Sequence, residues 1–169
     1  MIPRTRIDLP WTQQPDAYTC APATVRMILR AYGIDVSVDA LKPAVGWSRQ
    51  RGADRYGVAD ALNRHQRAHT YRVSNSGDAT ATRDTERDAR RKLRAWARQD
   101  LPADHPIALA INGALPGYPR PVGHWVVVAG IDGDRVLIAD PTAGRAGFED
   151  VDAVRWIDID RIPVKAFVA

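Results

Sequence analysis

The chain has 169 residues, of which 45% are hydrophobic and 26% are charged, proportions that suit one globular domain with a hydrophobic core. It contains no stretch of 18 or more apolar residues and no signal-peptide pattern at its start, so we expect no membrane partner and a cytoplasmic location, with secretion of a processed form left open. Its one cysteine excludes an internal disulfide framework and a multi-cysteine zinc site.

The formal net charge is +4, and the excess is concentrated in one segment. Residues 83–98 carry seven basic and three acidic side chains, so the rest of the chain is balanced. A charge run of this kind is typical of the solvated face of a helix. Because Trp96 is the only aromatic residue among these arginines, we expect no nucleic-acid partner.

Three helices are predicted in the first hundred residues, over 20–32, 58–67 and 83–99. The first would begin after Thr19, which can cap its N-terminus, and end at Gly33, which favours a left-handed conformation. On the third, Leu93, Trp96 and Ala97 share one apolar face.

The segments around these helices carry weaker signals. Residues 1–12 look extended, 47–57 and 74–82 are predicted as loops, and 69–73 as a short strand. The segment 36–46 is left unassigned.

The last 65 residues are predicted to form an antiparallel sheet. Strands are expected at 106–112, 124–131, 135–140 and 162–169. Asp132-Gly133-Asp134 strongly favours a hairpin between the second and third strands, whereas 148–157 is predicted as a short helix or turn. Helices followed by such a sheet indicate the α+β class, and we expect a single domain over 1–169, helical at about 13–100 and sheet-forming at about 105–169.

Cys20 lies at the predicted N-terminus of the first helix. The unpaired N–H groups and the positive dipole end found there stabilise a thiolate, the reactive form of cysteine. The alternative is a small buried residue with no chemical role, a frequent fate of free cysteine.

A nucleophilic cysteine needs a base, and four histidines are available. His65 and His69 have metal-ligand spacing but lack an evident third ligand, so we expect no metal, and His105 looks ordinary. His124 opens the most apolar strand, and the hairpin returns Asp140 towards it. A carboxylate there can hold one imidazole nitrogen and leave the other free as a base.

The hairpin register decides whether this pair can form. A two-residue turn at Asp132-Gly133 would put His124 and Asp140 on opposite faces of the sheet. A three-residue loop or a bulge would put both on the same face. The catalytic interpretation therefore requires one of the latter two.

Other residues are candidates for the surroundings of the thiol. Gln14, six residues before the cysteine, can offer an amide to a developing oxyanion, with Gln13 as its competitor. Trp47, Tyr118 and Trp125 are candidate substrate-binding residues, and ordinary packing is the alternative for all three.

Three features together resemble papain-fold cysteine peptidases: Gln14 six residues before Cys20, the helix CAPATVRMILRAYG, and the later GHWVVVAGIDGDRVLIADP. The pattern is most similar to the bacteriocin-processing (double-glycine leader) peptidase family and its stand-alone bacterial relatives. The resemblance implies a papain-like fold, Cys20 as nucleophile, His124 as general base and acid, Asp140 as its orienting partner, and Gln14 in the oxyanion hole. It also implies a peptide or protein substrate and no cofactor.

Three functions compete on this basis. A cysteine peptidase or amidase would resolve a thioester on Cys20 with water. An acyltransferase, or a transglutaminase-like or deamidating enzyme, would use the same triad on other acceptors or amides. A non-catalytic papain-like module would bind a peptide in the same cleft. The sequence does not indicate an oligomeric state.

Overall fold

The computed structural model describes residues 4–74 and 83–169. Nearly all of the loop predicted at 74–82 therefore lies outside the described residues. The helices are α1 (Cys20–Ala31), α2 (Val38–Ala44), α3 (Arg55–His65) and α4 (Arg83–Asp100), with short 3-10 helices at Leu101–Ala103 and Ile159–Arg161. The strands are β1 (Thr5–Arg6), β2 (Ile107–Gly113), β3 (Val122–Asp132), β4 (Arg135–Ala139), β5 (Val154–Asp158) and β6 (Val164–Val168).

The strands form one antiparallel sheet in the order β5-β4-β3-β2-β6, and β1 pairs with β3 beside this path. The helices precede most of the sheet in the chain, so the predicted α+β class is confirmed. Within the described residues, none of the helices has both the length and the apolar character needed to cross a membrane.

The sheet separates two hydrophobic clusters. One lies under α4 and includes Val126 and Val128, while the other lies under α1 and includes Trp125 and Val127. Neighbouring residues of β3 thus alternate between the two faces, as the two-residue period of a strand requires. Because helices cover both faces, the central strands read as nearly continuous apolar runs.

Helix α1 follows from its apolar stripe and its ends. Val25, Ile28 and Leu29 are fully buried against the sheet, and Gly33 adopts the predicted left-handed conformation with φ of 77°. The predicted side-chain cap is wrong. Thr19 stands at the N-cap position, but its hydroxyl contacts Asp16 Oδ1 at 3.1 Å instead of the helix backbone.

Helix α4 packs on the opposite face of the sheet, as its apolar residues predict. Leu93 and Ala97 are fully buried. Trp96 packs edge-on against Phe167 of β6, with ring centroids 4.9 Å apart. The buried face predicted for this segment is therefore confirmed.

Several predicted boundaries and elements are wrong. The unassigned segment contains α2, whose start is capped by Ser37. Helix α3 begins three residues early because Asp54 accepts the N–H of Gly57 at 2.8 Å. The strand predicted at 69–73 is only an isolated bridge from Val73 to β6. The predicted helix or turn at 148–157 ends instead in β5, which is held by pairing with β4.

The β3–β4 hairpin has a two-residue turn and a bulge. The turn is Gly133-Asp134, within the predicted Asp132-Gly133-Asp134 segment and one residue later than the two-residue turn considered above, and Gly133 has φ of 59°. The register shifts between Val128 and Gly130, which leaves one extra residue in β3. The core-facing positions change parity there, from Val126 and Val128 before the bulge to Ile131 after it. This is the bulge that the His124–Asp140 pairing requires.

Candidate active site

Three separate elements bring the predicted catalytic residues together. Cys20 is the first residue of α1, His124 lies near the start of β3, and Asp140 directly follows β4. His124 Nε2 lies 3.0 Å from Asp140 Oδ1. The Cys20 thiol lies beside the His124 side chain, close enough for the two groups to shift each other's pKa, and both residues line one cavity. Because Nε2 is engaged by the carboxylate, Nδ1 is the nitrogen left for the thiol.

The Asp140 carboxylate is fully buried and uses both of its oxygens twice. Oδ1 contacts His124 and accepts the N–H of Thr142 at 3.1 Å. Oδ2 accepts the hydroxyl of Tyr118 at 2.6 Å and the guanidinium of Arg155 at 3.1 Å. Burial raises the pKa of Asp140, but its bonds to His124 and Tyr118 and the charges of His124 and Arg155 lower it by more. The group is therefore a fixed anion at neutral pH.

This anion changes the protonation of His124. Burial on its own lowers the pKa of the imidazole, yet the hydrogen bonds with Asp140 and Cys20 raise it to about 9. The ring is only 7% exposed, so its protonation depends on these two neighbours rather than on water. The site thus holds an imidazolium at neutral pH.

The thiol responds in the opposite direction. Burial raises the pKa of Cys20, but the hydrogen bond and the charge of His124 lower it, and so do the N–H groups of Trp125 and Ala21. The net pKa lies below the ordinary thiol value. The two pKa shifts together favour a thiolate–imidazolium pair of Cys20 and His124.

Gln14 lies at this site and Gln13 beside it. Gln14 is buried, and its backbone N–H donates to the carbonyl of Pro141 at 2.8 Å. Its Nε2 donates one hydrogen bond to the carbonyl of Asp16 at 2.7 Å, which leaves the second N–H of the amide. Gln13 donates its own amide to Ala143 at 2.9 Å. The side-chain amide of Gln13 is therefore bonded to a loop carbonyl and not directed at the thiol.

Two cavities meet at His124, and both are lined by Gly123. The thiol-side cavity, of about 160 Å³, is also lined by Cys20, Ile111 and Trp125. The amide-side cavity, of about 170 Å³, is also lined by Gln14, Thr142 and Phe148. A ligand at the thiol therefore has space on two sides.

The three predicted substrate-binding aromatics lie in different places. Trp125 lines the thiol-side cavity and donates its indole N–H to the carbonyl of Ala53 at 3.1 Å. Trp47 lines neither cavity, and its indole donates to the carbonyl of Tyr18 at 2.7 Å. Tyr118 lines neither cavity and instead lies behind the carboxylate. Only Trp125 is positioned to contact a ligand at the thiol.

Two residues that hold Asp140 were not predicted from the sequence. Arg155 on β5 donates to the carboxylate, and Trp11 donates its indole N–H to the Asp140 backbone carbonyl at 2.8 Å. The sequence does not indicate Arg155 as a partner of Asp140, because its segment is predicted as a helix or turn. As a strand paired with β4, that segment brings Arg155 beside the end of β4.

Metal-ligand geometry is not found in the described parts of the chain, where no three His, Cys, Asp or Glu side chains come together as a possible site. His65 Nδ1 is 2.8 Å from the carbonyl of Ala61, within its own helix. His69 stacks on His105 with ring centroids 4.1 Å apart.

Comparisons with known proteins point in one direction. The model of the family described as "Peptidase C39 like family" matches residues 6–161. A search of curated proteins gives no match.

Solved structures share the fold at low sequence identity. One is a double glycine motif protease from an AMS/PCAT transporter, in complex with the leader peptide, with a TM-score of 0.63, 18% identity, and coverage of 99% of this chain and 94% of that one. Another is the peptidase domain of Streptococcus ComA, a bifunctional ABC transporter, with a TM-score of 0.60, 15% identity, and coverage of 96% of this chain and 95% of that one. A protein of Bacillus anthracis described as a C39-like peptidase has a TM-score of 0.61 and 12% identity, with coverage of 98% of this chain and 96% of that one.

Proposed function

The chain belongs to the peptidase C39-like family and has a function of the cysteine peptidase type, and we propose that Cys20, His124 and Asp140 form its catalytic triad. The observation that carries this proposal is the convergence of three side chains: the Cys20 thiol and the His124 ring line one cavity, and His124 Nε2 lies 3.0 Å from the buried Asp140 carboxylate. An arrangement of this kind supplies a nucleophile, a proton carrier and a group that orients the carrier.

The first half of the reaction would form a thioester. The Cys20 thiolate attacks the carbonyl carbon of a peptide or amide, a C–S bond forms, and the carbonyl π electrons move to oxygen. When the intermediate collapses, the C–N bond breaks, and the His124 imidazolium gives its proton to the leaving amine. Asp140 holds the ring in position throughout.

The second half would release the acid product. His124, now neutral, takes a proton from water as the water oxygen attacks the thioester carbon. The C–S bond breaks, and the leaving thiolate meets an imidazolium again. The starting ion pair is thereby restored.

Two N–H groups are available for the oxyanion that forms in both halves. The backbone N–H of Cys20, at the first position of α1, has no acceptor within the helix. The second amide N–H of Gln14 remains free of the bond to Asp16. We propose that these two donors hold the oxyanion, since both belong to residues that line cavities at His124.

The substrate we propose is a peptide segment of a protein. One relative of the same fold is solved with its leader peptide, and the two cavities that meet at His124 leave space for chain on both sides of the thiol. An acyltransferase or a deamidase would form the same thioester. The nature of the acceptor, water or an amine, separates these reactions from hydrolysis of a peptide bond.

The test is the rate of Cys20 alkylation by iodoacetamide as a function of pH in the wild type, His124→Ala and the control His65→Ala. We expect the wild type and the control to react well below the free-thiol pKa of about 8.5. His124→Ala should lose that low-pH reaction, because its thiolate no longer has an imidazolium beside it. One common curve near the free-thiol pKa for all three proteins would contradict the triad.

A second arm measures turnover of peptide substrates against pH, with mass spectrometry of the products. Activity should fall above about pH 9, where His124 loses its proton and can no longer protonate the leaving amine. Incorporation of an added amine in place of water would move the assignment to acyl transfer. Activity that keeps rising beyond pH 10 would contradict His124 as the acid.

A further inference from the structure

The two cavities at His124 belong to a longer groove. The thiol-side cavity shares Ala53, Ala110, Trp125 and Lys165 with an outer cavity of about 240 Å³. The groove therefore runs from the amide-side cavity, over the Cys20–His124 pair, into the outer cavity. Gly123 stands between the first two cavities, and a Cβ there would meet no atom within 4 Å, so the passage between them is open.

The charges along this groove have one sign near the thiol. Arg120 and Arg145 line the amide-side cavity, and Arg51 and Lys165 line the thiol-side cavity. No aspartate or glutamate is among the residues that line these two cavities. We call these four side chains the groove cations. They surround the thiol–imidazole pair on both of its open sides.

The groove cations differ from the many other cations of the chain. Helix α4 holds most of the local basic excess of the sequence, but five of its cations each contact a carboxylate. The ion pairs there are Arg90–Glu86, Arg91–Asp88, Lys92–Asp88, Arg94–Asp134, Arg94–Asp160 and Arg98–Asp134. In contrast, none of the groove cations forms an ion pair with any residue in 4–74 or 83–169. The cations at the groove thus lack the carboxylate partners that these five cations of α4 have.

We propose that the groove selects peptide segments with acidic side chains on both sides of the bond presented to Cys20. The proposal rests on the proposed function, because it assigns the substrate class of that same site. Carboxylates of such a segment would meet unpaired cations, which favours both encounter and orientation of a matching partner. A basic segment would meet like charge and be rejected.

The walls of the groove favour a peptide over a nucleic acid. Single-stranded nucleic acids bind through aromatic rings on which bases stack, in addition to cations. Trp125 and Phe148, the aromatic residues that line the cavities at the thiol, are each only 7% exposed. They offer little ring surface for a base, and the exposed Tyr56 lines the outer cavity but not the two cavities at the thiol.

The first test compares two alkylating agents that form the same Sγ–CH₂ bond and release the same iodide. Iodoacetate is an anion and iodoacetamide is neutral, so the ratio of their rates with Cys20, relative to glutathione, reports the charge of the groove. We expect a ratio above that of glutathione, and a drop of about two- to fivefold for each of Arg51→Glu, Arg145→Glu and Lys165→Glu at low salt. Arg91→Glu, the same change on α4, should leave the ratio unchanged.

The second test measures binding without chemistry, in Cys20→Ala. Fluorescence anisotropy compares peptides of equal length that carry four glutamates, four glutamines or four lysines, together with an oligothymidylate. The glutamate peptide should bind at least about tenfold more tightly than the glutamine peptide at low salt and lose this advantage at high salt. Equal binding of these two peptides, or tighter binding of the oligothymidylate, would overturn the proposal.

The two tests separate this inference from the proposed function. If Cys20 alkylates like glutathione while Cys20→Ala still prefers the glutamate peptide, the triad fails and the acidic selectivity stands. If Cys20 reacts at low pH but neither the reagent ratio nor the peptides respond to the groove cations, the triad stands and the acidic selectivity fails.

Discussion

Strand β2 has histidines near both of its ends, and their surroundings differ. Near one end, His124 pairs with Ile111 in the sheet and bonds to the Asp140 carboxylate. At the other end, His105 precedes the strand, stacks on His69 and lies 3.0 Å from the hydroxyl of Tyr32 through its Nδ1. His124 is thus bonded to an anion, whereas His105 and His69 contact one another.

The difference shows in the protonation of the rings. Burial lowers the pKa of His69, the neighbouring His105 lowers it further, and the charge of Asp100, which raises it, does not reverse the shift. Burial acts in the same direction on His124, but a bonded carboxylate and a thiol raise its pKa to about 9. Bonded partners, and not burial, therefore decide which histidine carries a proton at neutral pH.

The strongest test of this contrast replaces each aspartate by its neutral isostere. We expect Asp140→Asn to lower kcat/KM by about 10³- to 10⁴-fold, the size of effect seen when a triad loses its orienting carboxylate. Asp100→Asn, an equally buried change beside the histidine pair, should stay within about twofold. Similar losses in steady-state kinetics for both variants would remove the distinction between the two ends of β2.

Arg155 is the next largest expected effect. Arg155→Met takes from the buried Asp140 one of its two cationic partners, the other being His124, and the loss of this charged hydrogen bond should cost about 1.5–3 kcal/mol in the free energy of unfolding. The pKa of Asp140 should rise in this variant. A carboxyl group whose pKa is lower in the folded than in the unfolded protein stabilises the fold at high pH, and this stabilisation is lost as pH falls through the folded pKa. With a higher folded pKa for Asp140, the low-pH limits of stability and of activity should both move to higher pH.

Urea unfolding and the pH profile of kcat/KM measure these two limits. Arg155→Lys keeps the charge and should recover part of the loss, although an ammonium lacks the planar fork of a guanidinium. An unchanged acid limit in Arg155→Met would show that this residue supports packing and does not position the carboxylate.

Tyr118→Phe is a smaller and cleaner change. It keeps the ring packed against Phe148, at 5.2 Å between centroids, and removes only the hydroxyl that bonds Asp140 Oδ2. A hydrogen bond to a charged group contributes about 1.5–3 kcal/mol, so kcat/KM should drop by about tenfold or more through a looser carboxylate. A drop that appears in KM alone would instead place Tyr118 among the substrate contacts.

The smallest effect is expected at the histidine pair. His69→Phe should leave kcat/KM unchanged and the stability at pH 7.5 within about 1 kcal/mol. Since the folded pKa of His69 lies below its unfolded value, the wild type loses stability as pH falls below about 6.5. The variant should lose less between pH 7.5 and 5 in urea unfolding. A larger loss in the variant would contradict the direction assigned to His69.

Local patterns were sufficient to predict much of the architecture. The apolar stripe and Gly33 predict α1, the stripe on α4 predicts its buried face, and the turn residues Asp132-Gly133-Asp134 predict the hairpin. The segment 36–46 was left unassigned because α2 is short and contains Pro43. Strand β5 was missed because its pairing with β4 supplies the stability that its own sequence does not.

The candidate site was predictable in its members but not in its geometry. Cys20, His124 and Asp140 are conspicuous in the sequence, yet their meeting depends on the bulge in β3. At Gly130 a Cβ would lie 2.6 Å from the carbonyl of Thr5, so the first strand passes very close to the bulge. Such a contact spans more than a hundred residues and leaves no local trace in the sequence.

The bulge decides which residues of the hairpin share a face of the sheet. One unpaired residue, Ala129, separates a register that joins His124 to Asp140 from one that would turn the histidine to the other face. A deletion of Ala129 would leave every pair on both sides of the bulge in place and give a regular hairpin with the same two-residue turn, in which His124 and Asp140 still share a face. Hairpins of this kind that differ by one residue in length should therefore keep the His124–Asp140 contact without a bulge, whereas those that differ by two residues should need a bulge or a three-residue loop.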